Sequence, residues 1–348
     1  MQPAGACLTR PDSTTNIKEV SAISFGDISF VVQGAIDPSA TPGCLDAIRR
    51  WYPGAEIVLS TWETADVSGL DYDVLVRSAD PGAYNVMPPH RIPVMANGNR
   101  QIVSTKHGIQ QASRPYVVKL RSDIELLGRE WMRMWGRFPE RTSEWRMFRE
   151  RVIIGSWYAR NPLREVPKPF HPSDWFMFGR REDLLLLWDI ELEPEPESAW
   201  WFQTRPVPSR SWDPDDTRRY YSEQYLWKML MSKFGDVEFD HFTDASPENV
   251  RLTQLTFANN LIILEPHQFP FVMVKYPNPK AAWRYACYSH REWLRLYRYY
   301  CCGNRLGATL HRALDLMHHY ESVFTSVPKR VRTAITSRLQ RLRKAYAG

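Results

Sequence analysis

The residues best suited to chemistry sit where short apolar runs end. Lys119-Leu120-Arg121-Ser122-Asp123 closes one such run, Ser60-Thr61-Trp62-Glu63 closes a second with Asp66 just beyond, and Gln33-Gly34 closes a third. Arg100 falls in the first turn of a predicted helix opened by Gly98 and Asn99, where backbone N–H groups and the helix dipole favour an anion. In an open parallel sheet, ligands bind at the carboxyl ends of the strands, near the point where strand order reverses. On that rule these segments form a polar crescent of two cations and several carboxylates, which suits a nucleotide diphosphate.

Single residues carry competing readings. Asp123, at the end of a buried strand, is placed to hold Mg²⁺ or Mn²⁺ against diphosphate oxygens, or to cap a helix starting at Ile124. Asp174 lies in His171-Pro172-Ser173-Asp174-Trp175, where a carboxylate can take the proton of an attacking hydroxyl or simply cap a turn. Glu223 opens an amphipathic helix, where an acid is stabilising in any case. For Lys119 and Arg121, strand alternation puts one toward the core and the other toward solvent or an acidic partner, and Arg100 can serve only its own helix. His107 reads as a surface or satisfied histidine. No G-x-G-x-x-G follows a strand and no P-loop occurs, which weighs against nicotinamide-dependent and ATP-hydrolysing enzymes.

These positions need elements to hold them. Ile28–Val32, Glu56–Leu59, Val74–Val76 and Tyr116–Leu120 read as strands. Between them, a helix capped by Thr41 and stopped by Pro53-Gly54 places Leu45, Ile48 and Tyr52 on one face, and a second helix covers Asn97–Ala112. Further on, Glu125–Phe138 reads as helix, Val152–Ile154 as a short strand, Trp175–Phe178 as an aromatic stretch, and Arg180–Trp188 and Ser222–Phe234 as helices. Glu191–Glu197 is acidic and Pro-punctuated, hence a surface loop. Near-continuous apolar strands separated by amphipathic helices predict an α/β fold with a mainly parallel sheet covered on both faces. The expected organisation is a flexible leader over residues 1–25, a ligand-binding domain over 26–245, and a helical, basic region over 246–348 whose last helix carries Val331, Ile335, Leu339 and Leu342 on one stripe.

Charge is uneven. Residues 291–348 hold 12 Arg or Lys against three acids, a net of +9, while the whole 348-residue chain carries +6, leaving about −3 for the rest. The 14 Trp and 16 Tyr suit the flat faces of sugars, although any one ring more often fills a core. The longest apolar stretch, residues 252–274, is broken by Asn259, Asn260, Glu265, Pro266 and His267 and is no membrane span. No secretory signal opens the sequence, and five Cys without metal-ligand spacing fit a reducing cytoplasm.

Six segments in one order, SFVVQG (29–34), PGAEIVLSTWE (53–63), DPG (80–82), NRQIVST (99–105), YVVKLRSD (116–123) and SDWFMFG (173–179), with SEQYL (222–226) as a weaker seventh, resemble the WavE family of lipopolysaccharide-synthesis proteins. They span about 200 residues, from Ile28 to Leu226, and beyond about residue 240 no comparable match is seen. The resemblance implies a GT-A-like glycosyltransferase that moves a sugar from a nucleotide-sugar donor to a glycan or lipid-linked acceptor. In that fold an Asp-x-Asp motif after the fourth strand usually binds a divalent metal. Here Arg121-Ser122-Asp123 stands in its place, so metal dependence is open and Arg121 can meet the diphosphate directly. In an inverting enzyme of this kind Asp174, or failing that Glu223, is the base that deprotonates the acceptor hydroxyl, whereas a retaining enzyme needs no base in this position. Gln33, Gly34, Thr61, Glu63, Asp66, Arg100, Lys119, Arg121 and Asp123 become donor-site residues. Separately, the basic C-terminal helices suit either docking on an anionic membrane surface, at the inner face of the cytoplasmic membrane, or a solvated face on a helix packed against the domain. The rivals are a non-catalytic carbohydrate-binding or assembly protein and a sugar nucleotidyltransferase. Nucleic-acid binding fits least, since no recognised stacking module accompanies the basic tail.

Overall fold

A computed structural model describes residues 23–164, 167–207, 216–273 and 286–303. Strands β1 (Ile28–Gln33), β2 (Glu56–Trp62) and β3 (Val74–Ser78) are joined through helix α1 (Thr41–Trp51) and an extended connection. A small antiparallel pair, β4 (Tyr84–Asn85) with β5 (Met95–Ala96), precedes α2 (Gly98–Gln111) and β6 (Tyr116–Arg121). Then come β7 (Ile124–Leu126), β8 (Val152–Gly155), β9 (Phe176–Arg180), α3 (Arg181–Trp188), α4 (Ser222–Met231), α5 (Pro247–Asn260), β10 (Leu261–Leu264), β11 (Phe271–Met273) and α6 (His290–Tyr300).

Seven strands make the central sheet, in the order β10-β8-β9-β6-β1-β2-β3. All neighbours pair in parallel except β9, which runs antiparallel to both β6 and β8. The expected α/β fold with a mainly parallel sheet is therefore present. The one reversed strand has a direct consequence: its beginning lies at the same edge as the ends of its neighbours. Residues just before Phe176 thus meet those following Arg121 and Gly155. β10 extends the sheet past residue 245, so the sheet draws on both sides of that expected boundary.

Strand burial explains the apolar runs: every residue of β1, β8 and β10 is buried, and β2 and β6 are buried except at their ends. On one face α2 lies against β1 and β2 at very short range. A Cβ at Gly108 would come within 2.4 Å of Val31 Cγ1 and 3.0 Å of Ser60 Cβ. On the other face α1 is joined by an aromatic cluster, in which Trp131 Nε1 donates to Tyr52 Oη at 2.8 Å and Trp131 packs on Phe176 and Phe178.

Four local expectations need correction. Glu125–Phe138 is no α-helix: β7 pairs antiparallel with β11, and only a short 3-10 helix, Glu130–Met134, follows. Ile124 and Leu126 alternate into the core, and a partner strand far along the chain outweighs local helical spacing. Thr41 is the first helical residue instead of the cap, and its hydroxyl accepts from the Asp37 amide at 2.9 Å to close the preceding turn. The Glu191–Glu197 segment is irregular, yet Glu193 within it is buried, accepting from the hydroxyls of Tyr84 and Ser198. Asn99 holds the Glu193 backbone with a reciprocal pair of bonds at 2.8 and 3.1 Å. The expected leader includes Phe25, which packs edge-on against Tyr52, while residues 1–22 lie outside the described residues. The helix stripe of Val331, Ile335, Leu339 and Leu342 also lies outside them.

Candidate active site

The carboxyl edge of the sheet gathers residues from β6, from the turn before β9 and from the start of α4. Arg121 ends β6 and forms a two-pronged pair with Asp123, at 2.9 Å from Nε and 2.6 Å from Nη2. Its guanidinium also lies 5.5 Å from the centre of the Trp175 ring, which stacks on Trp157. The β6–β9 register sets Leu120 opposite Phe176, which brings Trp175 and Asp174 alongside Arg121 and Ser122. Because no helix begins at Ile124, the capping alternative for Asp123 falls away.

Asp174 is 1% exposed, and among the described residues neither carboxylate oxygen has a hydrogen-bond partner. Beneath it, Lys119 is fully buried; its ammonium donates to the Asp174 carbonyl, stands 4.0 Å from Oδ2 and sits over the Trp188 ring. Burial pushes the Asp174 carboxyl above the usual range, with Lys119 opposing. Burial likewise brings the Lys119 ammonium down to about 8, with Asp174 opposing. Alternation does not divide this pair as expected: two residues apart, Lys119 and Arg121 share one face of β6, and they differ because Lys119 lies within the buried stretch while Arg121 ends the strand and reaches the edge.

Glu223, in the first turn of α4, approaches His171 with 3.6 Å between Oε2 and Nε2. At that separation the two are neighbours without a hydrogen bond. The His171 ring is 2% exposed; burial, then Lys168 and Arg160, hold it well below the ordinary histidine range, so it is neutral at pH 7. Burial raises the Glu223 carboxyl, while Lys168, Arg160 and Arg218 pull the other way. Asp174 and Glu223, distant in sequence, thus come close enough for Glu223 to add to the rise of the Asp174 carboxyl.

The rest of the crescent divides. Gln33 is buried and accepts from Ser104 at 2.6 Å. Gly34 follows with φ of +119°, a backbone region that favours glycine, and Ser122 Oγ would lie 3.5 Å from an added Cβ. Thr61 is buried, and its hydroxyl has no partner among the described residues. Glu63 and Asp66 are exposed beyond β2, and Asp66 accepts from the Ser68 amide at 2.9 Å. Arg100 is bound at both prongs by Asp80, at 2.7 and 2.6 Å, as Arg121 is by Asp123. Lys168, Arg160, Arg218 and Tyr221 escaped the sequence reading; they follow no periodicity, and only the Pro-Lys-Pro run around Lys168 hints at a fixed cation.

Among the described residues no three His, Cys, Asp or Glu side chains gather to hold a metal ion. Asp123, the expected ligand, has both oxygens taken by Arg121. That donor set does not fit a divalent ion as arranged.

The chain matches the family described as WavE lipopolysaccharide synthesis over residues 28–327, and the protein belongs to that family. The match runs far beyond residue 240, where the sequence motifs faded, and takes in the residues of α5, β10 and α6. A search of curated proteins found no match. Among the described residues no helix is long and apolar enough to cross a membrane.

Proposed function

We propose that the protein is a glycosyltransferase with a GT-A-like site, moving a sugar from a nucleotide-sugar donor to a hydroxyl of a lipopolysaccharide or related surface-glycan acceptor. The observation that carries this is Asp174, a buried carboxylate without hydrogen-bond partners among the described residues, at the carboxyl edge of the sheet in a lipopolysaccharide-synthesis family. Once ionised, a carboxylate of raised pKa is a stronger base than a solvated one. In an inverting transfer Asp174 takes the acceptor's hydroxyl proton as the acceptor oxygen bonds to the anomeric carbon. The bond to the phosphate oxygen breaks with its electron pair, leaving charge on the nucleotide. Arg121 is the cation placed to receive that charge, with Asp123 fixing its guanidinium. Glu223 is the second candidate base, and Lys119 supports Asp174 from below.

A peripheral location on the inner face of the cytoplasmic membrane completes the proposal, supported by the 12 basic against three acidic residues of 291–348. The test is calorimetric titration of purified protein with a panel of nucleotide sugars, with Mn²⁺ and again with chelator, followed by donor-turnover assays. Micromolar binding of one nucleotide class with turnover supports transfer. Glycan binding with no nucleotide binding would indicate the non-catalytic alternative, and pyrophosphate release from a nucleoside triphosphate would indicate a nucleotidyltransferase.

A further inference from the structure

Beside the two carboxylates lies a group of cations that the proposed transfer step does not use. Lys168 is 4% exposed, and among the described residues its ammonium has no hydrogen-bond or ion-pair partner. It rests 3.3 Å from the centre of the Tyr221 ring. The Arg218 guanidinium lies 4.3 Å from the same ring, with its Nε donating to Asp216 at 2.8 Å. Tyr221 is fixed in turn by donating its hydroxyl to Asp216 Oδ2 at 3.2 Å. Arg160 joins through its backbone, whose amide donates to the His171 carbonyl at 2.9 Å, and its Nε is buried without a partner among the described residues.

The charges do not balance. Three basic side chains, Lys168, Arg160 and Arg218, share two acids, Asp216 and Glu223, and burial, then Arg160 and Arg218, hold the Lys168 ammonium well below the ordinary lysine range; Asp174 is matched by Lys119. A cation–π contact offsets part of the cost of burying Lys168 but supplies no hydrogen bond. The backbone is nonetheless held firmly. Pro167 and Pro169 flank the lysine, and Gln224 of α4 donates to the Pro169 carbonyl at 2.8 Å. Helix α4 opens directly after Tyr221, adding the positive end of its dipole. A buried, preorganised, under-neutralised cation cluster loses stability that a bound anion restores.

We propose that Lys168, Arg160 and Arg218 form a subsite around Tyr221 for an anionic group, phosphate or carboxylate, on a substrate bound beside Asp174. Identifying that substrate as a donor or acceptor rests on the glycosyl-transfer proposal; the affinity for an anion does not. Two sources share the chemistry, namely the diphosphate of a nucleotide sugar and an acidic substituent on the acceptor glycan.

The test titrates the full chain with inorganic pyrophosphate and, separately, inorganic phosphate, by calorimetry and by thermal melting. Wild type binds and its melting temperature rises with pyrophosphate. Lys168→Met weakens binding at least about tenfold, whereas Lys168→Arg holds it within about threefold. Lys168→Met by itself melts no lower than wild type, because it removes a buried ammonium that has no hydrogen bond among the described residues. This separates lost binding from lost folding. Absence of anion binding by wild type, or equal affinity in wild type and Lys168→Met, overturns the subsite. Competition then names the source: pyrophosphate displaced by nucleoside diphosphate assigns the subsite to the donor, and simultaneous binding assigns it to the acceptor. Anion binding that persists in a protein with no transfer activity leaves the subsite standing and removes the proposed function.

Discussion

Lys119 Nζ lies 4.0 Å from Asp174 Oδ2 with both side chains essentially sealed from solvent, so the candidate base and its counter-charge form a buried pair without a direct hydrogen bond between them. The ammonium instead spends a donor on the Asp174 carbonyl, holding the backbone and leaving the carboxylate oxygens without partners among the described residues. Such an arrangement is costly for folding and useful for proton transfer.

If Asp174 is the base, Asp174→Asn lowers kcat by about 10² to 10⁴ while donor affinity stays near wild type. Glu223→Gln is the comparison. A larger loss in Glu223→Gln, with Asp174→Asn near wild type, would move the base assignment to Glu223.

The pH profile carries a sign. Asp174 must be ionised to accept a proton, and burial raises its pKa, so the acid limb of kcat/KM lies above the ordinary Asp value of about 3.9. Lys119 favours the ionised form, so Lys119→Met moves that limb to higher pH. A limb that stays put in the variant would separate it from Asp174.

Breaking the pair on one side leaves a buried charge uncompensated. Lys119→Met alone is expected to cost about 3–5 kcal/mol, and Lys119→Met with Asp174→Asn to recover most of it, measured by urea unfolding at pH 7. The wild-type lysine has a folded pKa of about 8 against 10.5 when unfolded. Below about 8 both states hold the proton and the burial cost is complete; between the two values the unfolded chain binds more protons, so stability rises with pH. The single variant lacks this rise.

Gly108→Ala probes packing alone. Its Cβ would meet Val31 and Ser60 at 2.4 and 3.0 Å, forcing α2 from the sheet. The expected cost is about 1–3 kcal/mol, seen as a lower urea midpoint.

Membrane docking is separable from catalysis. Removing residues 328–348 takes away basic residues of the C-terminal stretch, and co-sedimentation with anionic liposomes is expected to fall while turnover of a soluble acceptor is kept. Unchanged co-sedimentation would end the membrane proposal.

The sheet was legible because burial on both faces demands apolar runs: β1, β2 and β6 begin at Ile28, Glu56 and Tyr116, as the sequence predicts. Helices α1 and α2 were legible from one-sided apolar spacing, and Asp174 and Glu223 from their places before an aromatic strand and at a helix start. β7 was not, because three residues next to Gly128 acquire strand geometry only from pairing with β11.

By itself the sequence determined the strand–helix rhythm, since periodic burial is written locally in residue types. Which polar residues share a site was decided only by the tertiary structure. The reversal of β9 carries Asp174 to the edge where β6 ends, α4 brings Glu223 to it, and Asp80 pairs with Arg100. Electrostatic partners form across space between segments far apart in the chain, and no local pattern encodes that Lys119 meets Asp174 or that Lys168 rests on the Tyr221 ring.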